Sequence, residues 1–126
     1  LLAGALALGA GSRPAQAAAN DAADPGVSQV ECGKPGQPAC PLQAWMRANV
    51  ATPLASNDTA ALAKGLEKAA SLSPDPSWIA WPTLANQGAE AAKKGDLAGT
   101  RAACKGCHDA FREAYRAKYR SRPIPR

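Results

Sequence analysis

Two cysteines and a histidine stand together near the carboxyl end of the chain. Residues 104–108 read C-K-G-C-H, and C-x-x-C-H is the attachment signature of a c-type haem, in which each thiol adds to a porphyrin vinyl group and the imidazole binds the iron. Helical residues three and four apart share a surface, so Cys104, Cys107 and His108 can all reach one flat ring. The motif predicts one covalently attached haem c, with His108 as the proximal iron ligand.

The same three residues could instead form a redox dithiol or half of a zinc site. A redox C-x-x-C is expected beside a βαβ pattern, and this motif lies in a helical pattern. A structural zinc site takes four ligands, and the chain has one histidine and only two further cysteines, Cys32 and Cys40. Both points favour haem, and a non-haem disulfide or zinc module with a structural role is the weakest alternative.

The first seventeen residues look like the end of a secretory signal peptide. Residues 1–11 are small and apolar, and A-Q-A follows at residues 15–17, which is the pattern of a cleavage site. We expect cleavage after Ala17. The apolar run is too short to cross a bilayer, so the sequence predicts an exported, periplasmic protein with no membrane span.

Residues 18–40 form an irregular leader that contains two cysteines. The segment is rich in Ala, Asp, Gly, Pro and Gln and shows no sustained periodicity. In an oxidising compartment, the simplest pairing is a local disulfide between Cys32 and Cys40, which would contribute about 2–3 kcal/mol to stability. Two free thiols and a metal site are weaker alternatives.

The apolar residues of segment 41–120 repeat with the three-four spacing of amphipathic helices, and residues 121–126 form a C-terminal tail. Prolines and capping residues divide the segment into four helices with short connections. We therefore predict an all-α fold, an antiparallel four-helix bundle that carries the haem. The first predicted helix begins at Pro41, and Pro53 ends or kinks it. The second runs from Asn57 and Asp58 to about Ser71. The third is capped by Asp75 and closes near Gly95, and the fourth runs from Asp96 to about Arg120.

The last helix places the haem motif on an apolar stripe rather than on its wet face. Cys104 and His108 share this stripe with Phe111, Tyr115 and other apolar residues. A haem buried against a bundle requires this placement. The three tryptophans are expected in the core or in the wall of the haem site: Trp45, Trp78 and Trp81.

The late position of the motif and the run C-K-G-C-H-D-A-F-R at residues 104–112 resemble the cytochrome c prime family, the class II c-type cytochromes. The similarity covers about residues 41–120. It implies that Cys104 and Cys107 form the haem thioethers, that His108 is the proximal ligand and that Arg112 lies beside the proximal haem face. The leader with Cys32 and Cys40 is outside the pattern of this family.

The sixth position of the iron decides the function that the resemblance implies. One branch of the family supplies a methionine from the first helix and transfers electrons; the other has an apolar residue there and binds NO or CO. Met46 is the only methionine and lies on the apolar face of the first helix. We predict low-spin His/Met ligation and electron transfer, with a five-coordinate NO/CO-binding protein as the alternative and ordinary core packing as the other role of Met46.

The positive charge of the chain is concentrated at its end. Residues 104–126 contain seven Lys or Arg and two Asp or Glu, which accounts for the whole net charge of +5. This basic end suits a redox protein partner with an acidic surface, and it equally suits a solvated helix end. Nucleic acid is a poor fit because no stacking array accompanies the charge. The lone histidine leaves no acid/base constellation for an enzyme. A homodimer and a larger redox assembly are both open.

Overall fold

The structure, a computed structural model, describes residues 31–125. This range contains helices and no strand, which confirms the predicted all-α class; the arrangement as an antiparallel four-helix bundle stays a prediction. The signal peptide, its cleavage after Ala17 and the leader up to residue 30 lie outside the described residues. The helical segments are α1 (Pro41–Met46), a π-helical turn (Arg47–Ala51), α2 (Thr52–Ala55), α3 (Thr59–Ala70), α4 (Ala80–Lys93) and α5 (Leu97–Tyr119).

The first helix is continuous from Pro41 to Ala55, because α1, the π-turn and α2 follow one another without a break. Pro41 lies in its first turn, as predicted, where the missing N–H has no helical partner to lose. Pro53 was expected to end or kink the helix. The backbone instead widens into the π-turn directly before the proline and continues for two further residues.

Aspartates begin α3 and α5, as the sequence predicts. The carboxylate of Asp58 accepts the N–H of Ala61 at 3.0 Å, and that of Asp96 accepts the N–H of Gly99 at 2.8 Å. Each bond satisfies one of the N–H groups that the first turn of a helix leaves without a partner. The start of α5, which carries the haem motif, is therefore set by Asp96.

Asp96→Ala is expected to lower the free energy of unfolding by about 1 kcal/mol, because alanine cannot accept the N–H of Gly99. Asp96→Asn keeps a capping oxygen and is the matched control. Urea denaturation followed by circular dichroism measures both variants. Equal stability of the alanine and asparagine variants would contradict the capping role.

The prediction that Asp75 caps the third helix is wrong. Its carboxylate closes a local turn, where it accepts the N–H of Ser77 at 2.9 Å and the hydroxyl of Ser77 at 2.7 Å. These two bonds are the main cause of the lowered pKa of Asp75. Helix α4 begins later, at Ala80, without a side-chain cap, and Pro82 lies in its first turn, where proline is tolerated.

The helices pack on one another in the order in which they follow along the chain. α3 packs on α4, α4 packs on α5, and the π-turn and α2 pack on α3. One core cluster contains Leu62, Leu66 and Ala89. The fully buried Thr100 lies where α5 meets α4, and its hydroxyl lies 2.9 Å from the carbonyl oxygen of Asp96 and 3.5 Å from that of Gly88. The hydroxyl is thus satisfied at a close helix contact.

A second core cluster is aromatic and lies toward the end of α5. It combines Leu42 and Leu72 with Trp81 and Tyr115. The indole N–H of Trp81 donates to the carbonyl oxygen of Ala69 at 2.8 Å, which joins α4 to α3. Trp45 and Trp78 are half-buried and pack against this cluster. All three tryptophans therefore contribute to the core.

The leader is tied to the end of the chain. Cys32 and Cys40 form the predicted disulfide, with their Cα atoms 4.9 Å apart. A guanidinium nitrogen of Arg120 donates to the carbonyl oxygen of Cys32 at 2.6 Å, and Arg122 donates to that of Leu72 at 2.8 Å. Two cations of the basic end thus bind the backbone of segments that are distant in the sequence. Within residues 31–125, no helix has the length and apolar character needed to cross a membrane.

Candidate functional site

A groove of about 360 Å³ brings the sequence-predicted ligands together. Met46 enters it from the first helix, and Cys104, Cys107 and His108 enter it from α5. Residues of α3 and α4 complete its walls, so the first helix, α3, α4 and α5 all contribute to the groove. The remaining lining residues are mostly apolar or small: Gln43, Arg47, Val50, Ala51, Leu54, Leu66, Ala69, Trp81, Leu84, Ala85, Gly88 and Ala103.

The groove continues toward the disulfide. A second space of about 600 Å³ shares Met46, Cys107 and His108 with the first and extends along α5 past Phe111 and Tyr115. Arginines border this second part: Arg112, Arg116 and Arg120. Apolar clefts with a few convergent polar groups, at about 300–1,000 Å³, are typical sites for cofactors. The combined groove has this character.

The thiols of Cys104 and Cys107 are free and half-buried in the middle of α5. Burial raises the pKa of both thiols, and the neighbouring Cys104 raises that of Cys107 further. A catalytic dithiol has the opposite property, because a helix N-terminus or a nearby cation lowers its pKa and creates the thiolate. The environment of this pair therefore argues against a redox dithiol.

His108 is exposed at the edge of the groove and contacts Arg112. A guanidinium nitrogen of Arg112 lies 2.9 Å from Nδ1 of His108. Since arginine can only donate, Nδ1 accepts, and the neutral ring carries its proton on Nε2. Partial burial and the charge of Arg112 lower the pKa of His108, against a smaller opposing effect of Asp109. The imidazole is thus held neutral, the form that binds a metal. A metal at Nε2 would take the place of the proton there, and the neutral ring would then carry its proton on Nδ1. Arg112, which can only donate, would therefore have to move away from Nδ1.

Met46 is half-buried and packs against both core clusters. Its place on the apolar face of the first helix agrees with the sequence prediction. Two thiols, an imidazole and a thioether around an apolar groove are the donors that a covalently attached haem with His/Met ligation uses. The residues present therefore fit a haem c, and ligation by Met46 stays a prediction.

The wall contributed by α4 was only partly predicted. Trp81, Leu84, Ala85 and Gly88 line the groove, and their offsets of 0, 3, 4 and 7 follow the helical spacing of one face. Leu84 and Gly88 were missed, although this spacing could have found them. Ile79 does not contribute to this wall: it is 76% exposed, and the helix begins only after it.

The identity of the site rests on these residues alone. Among residues 31–125, no three His, Cys, Asp or Glu side chains are grouped so that they could hold a bare metal ion. Comparison with protein-family models, with curated proteins and with solved structures finds no match to this chain.

Proposed function

We propose that this chain is an exported monohaem c-type cytochrome that transfers electrons. The observation that carries the proposal is the single groove that Met46, Cys104, Cys107 and His108 all line. These residues come from the two ends of the helical domain. The C-x-x-C-H motif indicates Cys104, Cys107 and His108, and the resemblance to the cytochrome c prime family, with the apolar face of the first helix, indicates Met46. Cys104 and Cys107 would hold the haem through thioethers, with His108 and Met46 as its axial ligands.

Haem, when bound, supplies a one-electron iron couple whose potential depends on its ligands and on the burial of the site. The chain contributes a wall that limits the access of water. Leu66 and Trp81 belong to the core clusters that form this wall. Met46 is already packed against both clusters, so its thioether is positioned with little freedom to lose. A site in which the thioether donor is already positioned would favour electron transfer, because few atoms on that side of the iron would need to move when its redox state changes.

The proposed fold is an antiparallel four-helix bundle of the cytochrome c prime type. Its support is the short connections between the helices and the packing of α3 on α4 and of α4 on α5. The motif in the last helix and Arg112 beside His108 add to this resemblance. Arg112 would then lie at the proximal face of the haem.

Export and docking to a redox partner complete the proposal. The disulfide between Cys32 and Cys40 suits an oxidising compartment such as the periplasm. Arg120 and Arg122 bind backbone carbonyl oxygens, so they contribute less to docking than their charge suggests. The exposed Arg116 and Lys118 are better placed to meet an acidic partner, with an affinity that falls as salt is added.

The alternative is an open, five-coordinate iron that binds NO or CO on the same fold. The packing of Met46 against both core clusters is compatible with this alternative as well, since a methionine can fill a core without binding a metal. In that case the site would be free at its sixth position. The two functions differ in whether Met46 binds the iron, which a substitution of Met46 can test.

Met46→Leu is expected to convert the ferrous protein from a low-spin species that excludes CO to a high-spin species that binds it. Leucine has nearly the volume of methionine but no sulfur donor. The experiment is the absorbance spectrum of purified haem-loaded protein, reduced with dithionite, with and without CO. Most of the wild type should stay unchanged by CO, and most of the variant should bind it.

Leu84→Ala is the matched control, because Leu84 lines the same groove but offers no donor atom. It should keep the low-spin spectrum, which separates the loss of a ligand from a loosened wall. Ready CO binding by the wild type would contradict ligation by Met46 and support the gas-binding alternative. Purified protein without haem would refute both functions.

A further inference from the structure

The π-turn at Arg47–Ala51 follows Met46 directly and interrupts an otherwise regular helix. The backbone N–H of Thr52 donates to the carbonyl oxygen of Arg47, five residues earlier. The hydroxyl of Thr52 donates to the same oxygen at 2.9 Å. Single π-turns within α-helices are uncommon and occur often at functional sites.

Two residues of this chain supply the local chemistry of the widened turn. Pro53 has no N–H, so it cannot donate to the carbonyl oxygen of Asn49, the bond that a regular α-helix would make at this point. The side-chain amide of Asn49 donates to the carbonyl oxygen of Trp45 at 2.9 Å. Asn49 and Pro53 together stabilise the wider turn.

The carbonyl that Pro53 leaves without its α-helical donor packs against α3. The nearest group is Gly65, where an added Cβ would overlap with the carbonyl oxygen of Asn49 and lie 2.9 Å from its carbonyl carbon. Gly65 is buried in the middle of α3. The contact therefore ties the π-turn to a fixed place on the neighbouring helix.

The extra residue in the turn changes which side chain shares a helix face with Leu54. In an unbroken α-helix, residues seven apart share a face, so Arg47 would lie above Leu54. A turn widened by one residue rotates the preceding segment by about 100°, which gives this position to Met46. Met46 and Leu54 pack against the same core cluster, whereas Arg47 borders the groove as an exposed residue.

We propose that the π-turn is a positioning element that places Met46, rather than Arg47, on the core side of the groove, where its thioether would bind the iron. Asn49, Pro53 and Gly65 are its positioning residues, and they would act through Met46, since none of them lines the groove. This inference rests on the proposed function, because it assumes that Met46 is an axial ligand. If the π-turn only accommodated Pro53, replacing the turn residues would change the stability of the protein but would leave Met46 as the ligand.

The test is the double variant Asn49→Ala/Pro53→Ala, which permits the regular α-helical bonds at both positions. We expect the CO-binding fraction of the haem-loaded ferrous protein to rise from a minor part to most of the sample, as in Met46→Leu. The single variant Pro53→Ala is read in the same way if the double variant does not fold. Leu97→Ala, which removes packing against the same core cluster without changing the backbone bonds of the turn, should leave this fraction low.

Deletion of Ala48 in the double variant provides a rescue. Ala48 is exposed, and its removal places Met46 seven residues before Leu54 in an unbroken α-helix. The low-spin spectrum and the exclusion of CO should then return.

The outcomes separate this inference from the proposed function. If Met46→Leu binds CO and the double variant still excludes it, Met46 is a ligand and the π-turn does not position it. If the double variant binds CO and the deletion does not reverse this, the rotation argument is wrong. If the wild type already binds CO, the proposed ligation fails first, and the inference fails with it.

Discussion

Replacing Cys104 and Cys107 together by alanine is expected to abolish covalent haem attachment completely. Under the proposed function each thiol would form one thioether, and the other two cysteines of the sequence are paired with each other. The protein should be exported as an apoprotein with the mass of the bare chain, whereas the wild type carries one haem. Mass spectrometry of the denatured protein, together with haem staining after denaturing electrophoresis, measures the difference.

Cys32→Ala/Cys40→Ala is the matched control, because it also removes two cysteines. This pair is joined in the disulfide, so the variant should keep its covalent haem and lose about 2–3 kcal/mol of stability. Single replacement of Cys104 or Cys107 should leave one thioether. Covalent haem on the Cys104→Ala/Cys107→Ala variant would refute the assignment of the motif.

The ends of the helices show what local sequence can predict. Asp58 and Asp96 cap α3 and α5 as expected, because a cap depends on groups within three residues of it. Asp75 has the same residue type and lies before the same kind of apolar pattern. It closes a turn with Ser77 instead, since a neighbouring serine competes for its carboxylate.

The π-turn shows what local sequence cannot predict. Pro53 signals a disturbance in the first helix, but proline can equally end, kink or widen a helix. The outcome depends on Gly65, in the next helix, which offers the space for the carbonyl of Asn49. A contact of this kind becomes visible only after the helices are packed.

The candidate site likewise contains residues whose place the sequence predicts and residues whose role it does not. Cys104, Cys107 and His108 follow from a motif whose spacing determines its geometry. The choice of Met46 follows from the resemblance to the cytochrome c prime family, and helical periodicity adds only its place on an apolar face. The roles of Arg120 and Arg122 did not follow. Their charge was equally consistent with a docking surface and with a solvated helix end. Their guanidinium groups instead bind the carbonyl oxygens of Cys32 and Leu72, partners that are 88 and 50 residues away in the chain.

Gly65→Ala is expected to lower the free energy of unfolding by about 2–3 kcal/mol. Helix propensity alone would favour alanine by about 1 kcal/mol, since Gly65 lies in the interior of α3. The added Cβ, however, would overlap with the backbone carbonyl of Asn49. No rotamer change relieves a clash between a Cβ and a backbone oxygen, so the two helices must move apart and lose packing across the core.

Gly88→Ala is the matched control, because it makes the same change in the interior of α4. There the added Cβ would lie 3.2 Å from Cδ1 of Leu66 and 3.4 Å from Cβ of Ala103, and the leucine tip can adjust. The opposing gain in helix propensity should keep Gly88→Ala within about 1 kcal/mol of the wild type. Urea denaturation of both variants compares them directly. Equal stabilities would mean that the first helix can move away from α3 without loss, and the packing of the Asn49 carbonyl on Gly65 would then not hold the helix in place.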